Sequence, residues 1–222
     1  MNYIIVDLEM NPLAKKYKDE RKICRSEIIE IGAVILDDKL NNIGEFKTLV
    51  RPQYNDTIYK MYEEMTGIST RMVCGAPAFA KAYSMFVSWC ESYGSDYEIY
   101  AWSESDYNQV TSEMRLKNYD CGQGAVVSGR WLDFQREYTN KLGLEQIMSL
   151  EKALNYAGVE YKGHMHDALC DARNTAELFK IVRDEKSCNS ILKNVIDALK
   201  PSNISSSLGE LFDFSALMAK VG

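Results

Sequence analysis

The alternation of apolar and polar positions sorts the chain into a strand-rich first quarter and a helix-rich remainder. Residues 1–9, MNYIIVDLE, are apolar through Val6 and then set Asp7 and Glu9 on either side of Leu8. Successive side chains of a strand face opposite ways, so both acids share one face and Leu8 takes the other. SEIIEIGAVILDD (26–38) and IGEFKTLVRP (43–52) are rich in β-branched residues and joined by KLNN, which predicts a hairpin. The run 76–94 has apolar residues at helical spacing and a terminal glycine. YEIYAW (97–102) reads as a fourth strand, followed by a helix from about residue 105, and GRWLDFQREY holds a fifth strand that turns quickly into helix. A helix over 149–158 starts with Ser149 at its cap, and HMHDALCDARNTAELFKIVRDE (164–185) is the clearest helical pattern of the chain. Beyond the polar break PSNISSS (201–207), Ser207 and Glu210 have capping-box spacing. Leu208, Leu211, Phe212, Phe214 and Met218 then form an apolar face. Together these elements predict an α/β fold with a mixed five-stranded sheet, an antiparallel hairpin joined to parallel strands, flanked by helices. They divide into one domain over 1–186 and a helical extension over 187–222. That extension is expected to pack on the domain or on a partner subunit, either a second copy or another protein.

Composition narrows this picture. With 222 residues, 46% apolar and 11% aromatic, the chain can bury a full core. The net charge of −6 argues against a broad nucleic-acid-coating surface, so any such contact must be local. Lys15, Lys16, Lys18, Arg21, Lys22 and Arg25 fall in the polar connection over 10–25, next to the end of the strand from which Asp7 and Glu9 project. Six cysteines without C-x-x-C spacing, and no charged-then-apolar leader, read as free thiols in a reducing cytoplasm. No apolar run approaches the roughly 18 residues of a membrane span, so no membrane contact is expected.

Candidate chemistry lies at the element ends. Asp7, Glu9, Asp106 just after the fourth strand, and Asp171 on the late helix can converge if strands one and four are parallel neighbours. Ionised acids so close raise one another's pKa, and oxygen-only ligands select a hard cation such as Mg²⁺ or Mn²⁺. Two such ions, about 3.5–4 Å apart, suit in-line displacement at phosphorus. Of the two histidines, His166 lies five residues before Asp171, placed to take a proton near neutral pH, whereas His164 reads as surface. Asp167 is expected to cap the late helix rather than bind metal, Glu30 to pair with a loop lysine, and Trp102 and Tyr107 to pack in the core. Cys170 has no basic neighbour in sequence to activate it.

Three segments, IIVDLEMN, AWSESDYNQV and HDALCDARNTAELF, resemble the three motifs of the DEDDh superfamily of 3′-to-5′ exonucleases. SEIIEIGAVILD, MTGI (65–68) and SLEKALNYAGV extend the likeness over about residues 2–185. Within the superfamily the chain looks most like the exoribonucleases that trim histone-mRNA ends and small interfering RNA, and the bacterial inhibitors of the KinA sporulation pathway. The resemblance implies a ribonuclease H-like three-layer fold, with Asp7, Glu9, Asp106 and Asp171 as metal ligands and His166 as general base. It also implies that the Met10 backbone and the Thr66–Gly67 turn meet the terminal nucleotide. Where many members carry an asparagine before the second-motif acid, this chain has WSESD, and Trp102 favours the exoribonuclease branch. The implied activity is release of nucleoside 5′-monophosphates from the 3′ end of single-stranded nucleic acid, RNA in preference to DNA; the charge of the 15–25 loop, with Lys15 and Lys16, suits it to guide the phosphate backbone. The alternatives are a DNA proofreading or trimming exonuclease and a regulatory binding protein on the same fold.

Overall fold

Alternation along β1 (Asn2–Pro12) divides its side chains between two layers. The computed structural model describes residues 1–119 and 130–199. Ile4, Val6 and Leu8 are buried with Ile31, Ala33 and Ile35 of β2 (Ser26–Leu36) in one core. Asp7 and Glu9 therefore belong to the opposite layer. β3 (Asn42–Leu49), β4 (Tyr97–Ala101) and β5 (Trp131–Asp133) complete a five-stranded sheet of order β3-β2-β1-β4-β5. β1 runs antiparallel to β2 and β2 to β3, whereas β1 is parallel to β4 and β4 to β5, so the sheet is mixed as the sequence predicts.

Short helices α1 (Glu20–Ile23), α2 (Lys60–Thr66) and α3 (Thr70–Cys74) fall in stretches too brief to show a helical period. The expected polar loop over 10–25 thus contains the end of β1 and one turn of helix. The predicted 76–94 helix is α4 (Phe79–Ser92), which starts just after Pro77 because the residue before a proline is pushed out of the helical region. Its Phe79, Ala82, Tyr83, Phe86, Val87 and Cys90 fill the layer beneath Ile4, Val6 and Leu8. α5 (Glu104–Leu116) follows β4 at once, with the Ser103 side chain accepting from the Ser105 N–H at its cap.

The remaining described helices are α6 (Phe134–Leu142), α7 (Leu150–Tyr156), α8 (Ala168–Arg183) and α9 (Glu185–Leu199). Ser149 caps α7 as predicted, accepting from the Lys152 N–H. Met1–Phe134 with Lys162–Ala176 make one compact unit. The described part of a second comprises 135–161 and 177–199, with Tyr138, Leu142, Leu154, Phe179, Val182 and Ile191 among its buried side chains. The amphipathic helix expected over 208–221 lies outside the described residues.

In the first unit, α8 begins against the sheet at Gly32. A Cβ there would stand 2.2 Å from the Ala168 carbonyl carbon and the Leu169 nitrogen, so no larger residue admits this approach. α5 is fixed by charge. Lys117 Nζ lies 2.9 Å from Glu27 Oε1 and 2.5 Å from Glu113 Oε1, all three side chains being buried. Glu27 also accepts the N–H groups of Gln53, Tyr54 and Asn55, and Glu113 accepts that of Ile28. The network ties the helix that carries Asp106 to β2 and to the segment after β3. Lys117→Met leaves two buried carboxylates without their cation, and the expected loss of unfolding free energy is about 3–5 kcal/mol. Urea denaturation measures it; a loss below about 1 kcal/mol would mean the network behaves like a solvated surface pair.

Candidate active site

Register explains how separate acids meet. β1 pairs with β4 only as far as Val6–Ala101, then continues against β2 to Pro12–Ser26. Asp7 and Glu9 thus project just past the carboxyl end of β4, where open α/β sheets form sites. A register shift between Glu9 and Met10 marks a bulge directly after the second acid. Leu8 is buried in the core between them, as the alternating pattern requires.

Asp106 arrives in the first turn of α5 and is 5% exposed, its carboxylate supported by the Leu8 backbone N–H. Asp171 sits in the first turn of α8. The His166 backbone N–H donates to Asp171 Oδ2 at 2.9 Å. Carboxylate oxygens of Glu9 and Asp171 and a ring nitrogen of His166 lie within 4.8 Å of one another. Asp7 and Asp106 join them electrostatically. Burial raises the Asp7 carboxyl well above the usual range, and Asp106, Asp171, Glu9 and Glu30 push it further. Burial, then Asp171, Glu30, Asp106 and Asp167, lift Glu9 to about 9. Burial lifts Asp106 to about 7.

Two flanking residues behave otherwise. Asp167 caps α8 as expected, its Oδ1 accepting from the Cys170 N–H at 3.1 Å. Glu30 pairs with a lysine, but with Lys47 of β3 at 3.2 Å rather than with one from the 10–25 connection. Lys47 also meets Asp167 at 2.5 Å. Sequence reasoning passed over Lys47 and Gly32. The available signals were a lysine on an edge strand and a glycine inside the apolar run IIEIGAV.

The residues expected to touch substrate are more scattered. Met10 is half-buried and packs against the core, while Asn11 beside it bonds Thr57 O and the Tyr59 N–H, linking β1 to the approach to α2. Thr66 is buried, its hydroxyl donating to Tyr62 O and accepting from the Ile68 N–H; Gly67 caps α2 at φ +73°. Lys15 and Lys16 are exposed, with Lys16 Nζ 4.9 Å from the Tyr17 ring centre. Trp102 packs edge-on against Phe134, as a core residue should. Tyr107 does not enter the core: it is exposed, 6.3 Å from Trp131, because the first turn of α5 turns it outward.

The donor set fits a hard divalent cation, because buried oxygen donors repel one another and hold protons until a positive charge replaces them. The carboxylates and imidazole can bind such an ion and exchange a proton beside it. No described helix is long and apolar enough to cross a membrane.

A family profile described as Exonuclease, of the RNase T type, matches residues 4–179. ERI1 exoribonuclease 2 of Mus musculus is 27% identical over 201 residues, covering 82% of this chain and 28% of its own length. The 3'-5' exoribonuclease 1 of Rattus norvegicus is 24% identical over 161 residues, 68% of this chain and 45% of its own. This chain therefore spans less than half of either relative. Among solved structures, the nuclease domain of 3'hExo, a DEDDh family member, bound to rAMP, is similar with a TM-score of 0.67 at 20% identity, covering 82% of this chain and 91% of that one. At that identity the likeness is one of fold.

Raised carboxyl pKa values give the metal-free protein a defined pH dependence. Glu9 and Asp106 keep protons in the folded chain up to about 9 and about 7, whereas the unfolded chain releases them near 4. Their contribution is fully present below the unfolded value and is lost as pH rises through the folded values. Between about pH 5 and 9 the metal-free melting temperature should fall, by about 2–4 °C for each kcal/mol lost. Mn²⁺, competing with those protons, should raise it more at pH 8 than at pH 6. Melting scans with and without chelator check this; a Mn²⁺ shift independent of pH would refute the coupling.

Proposed function

We propose, for a chain that belongs to the RNase T-type exonuclease family, that its acid cluster removes nucleotides one at a time from the 3′ end of single-stranded RNA. The observation that carries this reading is the meeting of Glu9, Asp171 and the His166 ring within 4.8 Å, with Asp7 and Asp106 electrostatically coupled to them. A binding module has no need of so costly a cluster.

Asp7, Glu9, Asp106 and Asp171 would hold two Mg²⁺ or Mn²⁺ ions. Bound there, such ions supply a nucleophile at neutral pH and positive charge against the attacking and leaving oxygens of an in-line displacement. His166 is exposed at the rim and accepts the proton of the attacking water, its ring kept beside Glu9 and Asp171. The Met10 backbone and the Thr66–Gly67 turn flank the terminal nucleotide. The basic connection carrying Lys15, Lys16 and Lys18 draws in the phosphate backbone, which a chain of net charge −6 otherwise repels. RNA is favoured over DNA because the two relatives are named exoribonucleases and the fold neighbour holds rAMP. The products are nucleoside 5′-monophosphates.

Incubation with 5′-labelled RNA and DNA, with Mn²⁺ or with chelator, should give stepwise shortening of RNA that requires metal. Asp7→Ala should abolish trimming, and His166→Ala should slow it by about 10²–10⁴-fold. A His166→Ala protein that trims at the native rate would end the assignment, and faster trimming of DNA would identify a DNA-trimming enzyme instead. Replacing Lys15, Lys16 and Lys18 together with alanine should raise KM at low salt more than it lowers kcat; an unchanged KM would exclude the guiding role.

A further inference from the structure

His166 is one of three non-glycine residues at positive φ among the described residues, at +61°. Left-handed backbone at a bulky side chain persists only where its surroundings over-determine it. Here the surroundings act from both sides. Before the helix, the His166 N–H is held by Asp171 Oδ2 at 2.9 Å. At the start of the helix, residues 167 and 168 are gripped by the sheet face on which α8 sits: the Ala168 N–H donates to Glu30 Oε2 at 3.0 Å, and Lys47 Nζ reaches Asp167 Oδ2 at 2.5 Å and Glu30 Oε1 at 3.2 Å.

The register makes this grip feasible. Asp7, Gly32 and Lys47 stand in one row across β1, β2 and β3, because Asp7 pairs with Gly32 and Gly32 with Lys47. Gly32 has no side chain to fill the space, so α8 seats there and the Lys47 ammonium spans from the edge strand to the first residues of the helix. Within this network Lys47 is the cation that both carboxylates share. Without it, Glu30 and Asp167 would face each other as like charges, and only the Ala168 N–H bond to Glu30 would be left to oppose that repulsion.

From this geometry we infer that Lys47 is a positioning residue: by bridging Glu30 and Asp167 it holds the 166–168 segment so that the His166 ring stays beside Glu9 and Asp171. Its action passes through Asp167 and the backbone. The bridge is a property of the chain itself, and its kinetic consequence rests on the exonuclease reading.

The chain has two histidines, which makes the ring observable. In ¹³C-histidine-labelled protein the two ring signals are assigned with His164→Ala and His166→Ala. In Lys47→Met the His166 signal should broaden or move toward its unfolded position, the His164 signal staying where it was. With Mn²⁺ and labelled RNA the same variant should lose about ten- to a hundred-fold in kcat, the size expected of a misplaced catalytic group, with KM little changed. Lys47→Arg should restore the signal and most of kcat, since a guanidinium can span two carboxylates. Asp167→Asn keeps the cap but loses the charge, so it should act in the same direction and more weakly; it also reads the bridge if Lys47→Met fails to fold. An unmoved His166 signal in Lys47→Met overturns the inference, as does a raised KM with a flatter salt dependence and unchanged kcat, which would make Lys47 a phosphate contact. Absence of trimming by the native chain would sink the exonuclease reading and leave the ring spectra to decide the bridge.

Discussion

Repulsion among buried carboxylates is the constraint around which this fold is arranged. Asp7, Glu9, Asp106 and Asp171 come from one strand and two helices, and water is largely withdrawn from the first three. No local interaction would gather them. They meet because each element is anchored elsewhere: β1 through Ile4, Val6 and Leu8, α5 through Glu113 and Lys117, and α8 through its seat on Gly32. Stability supplied by those anchors is spent at the site, which is the usual position of functional centres in folded chains.

The molecule treats its two sets of buried acids differently. Glu27 and Glu113 share a buried lysine and several backbone N–H groups, so their charge is met within the chain. Burial nevertheless pushes the Glu113 carboxyl up, with Lys117 opposing it. Among the site acids, Glu30 and Asp167 have Lys47, and burial with mutual repulsion drives Asp7 and Glu9 upward. That contrast separates an electrostatic brace from a site prepared for an external cation, and it agrees with membership of an exonuclease family.

The site was legible in part before any coordinates. Asp7 and Glu9 two residues apart on a strand, and His166 five residues ahead of Asp171 at a helix start, are local patterns that alternation and helical periodicity make visible. The Asp167 cap and the core role of Trp102 were legible for the same reason. Tyr107 was misjudged because an aromatic in the first turn of a helix carries no local mark of which way that turn faces. Lys47 and Gly32 were passed over because their importance depends on strand pairing, which no single segment encodes.

By itself, the sequence determined the order of the strands and the longer helices and the presence of an antiparallel hairpin, since each follows from side-chain periodicity, and it set Asp7 and Glu9 on one strand face and His166 five residues before Asp171. Tertiary structure alone decided that β1 outruns β4, that Gly32 admits the start of α8, and that one lysine serves both Glu30 and Asp167. Those outcomes depend on register and close approach between segments up to 138 residues apart in sequence. Distances of that kind are set by packing, which acts only once the chain has closed on itself.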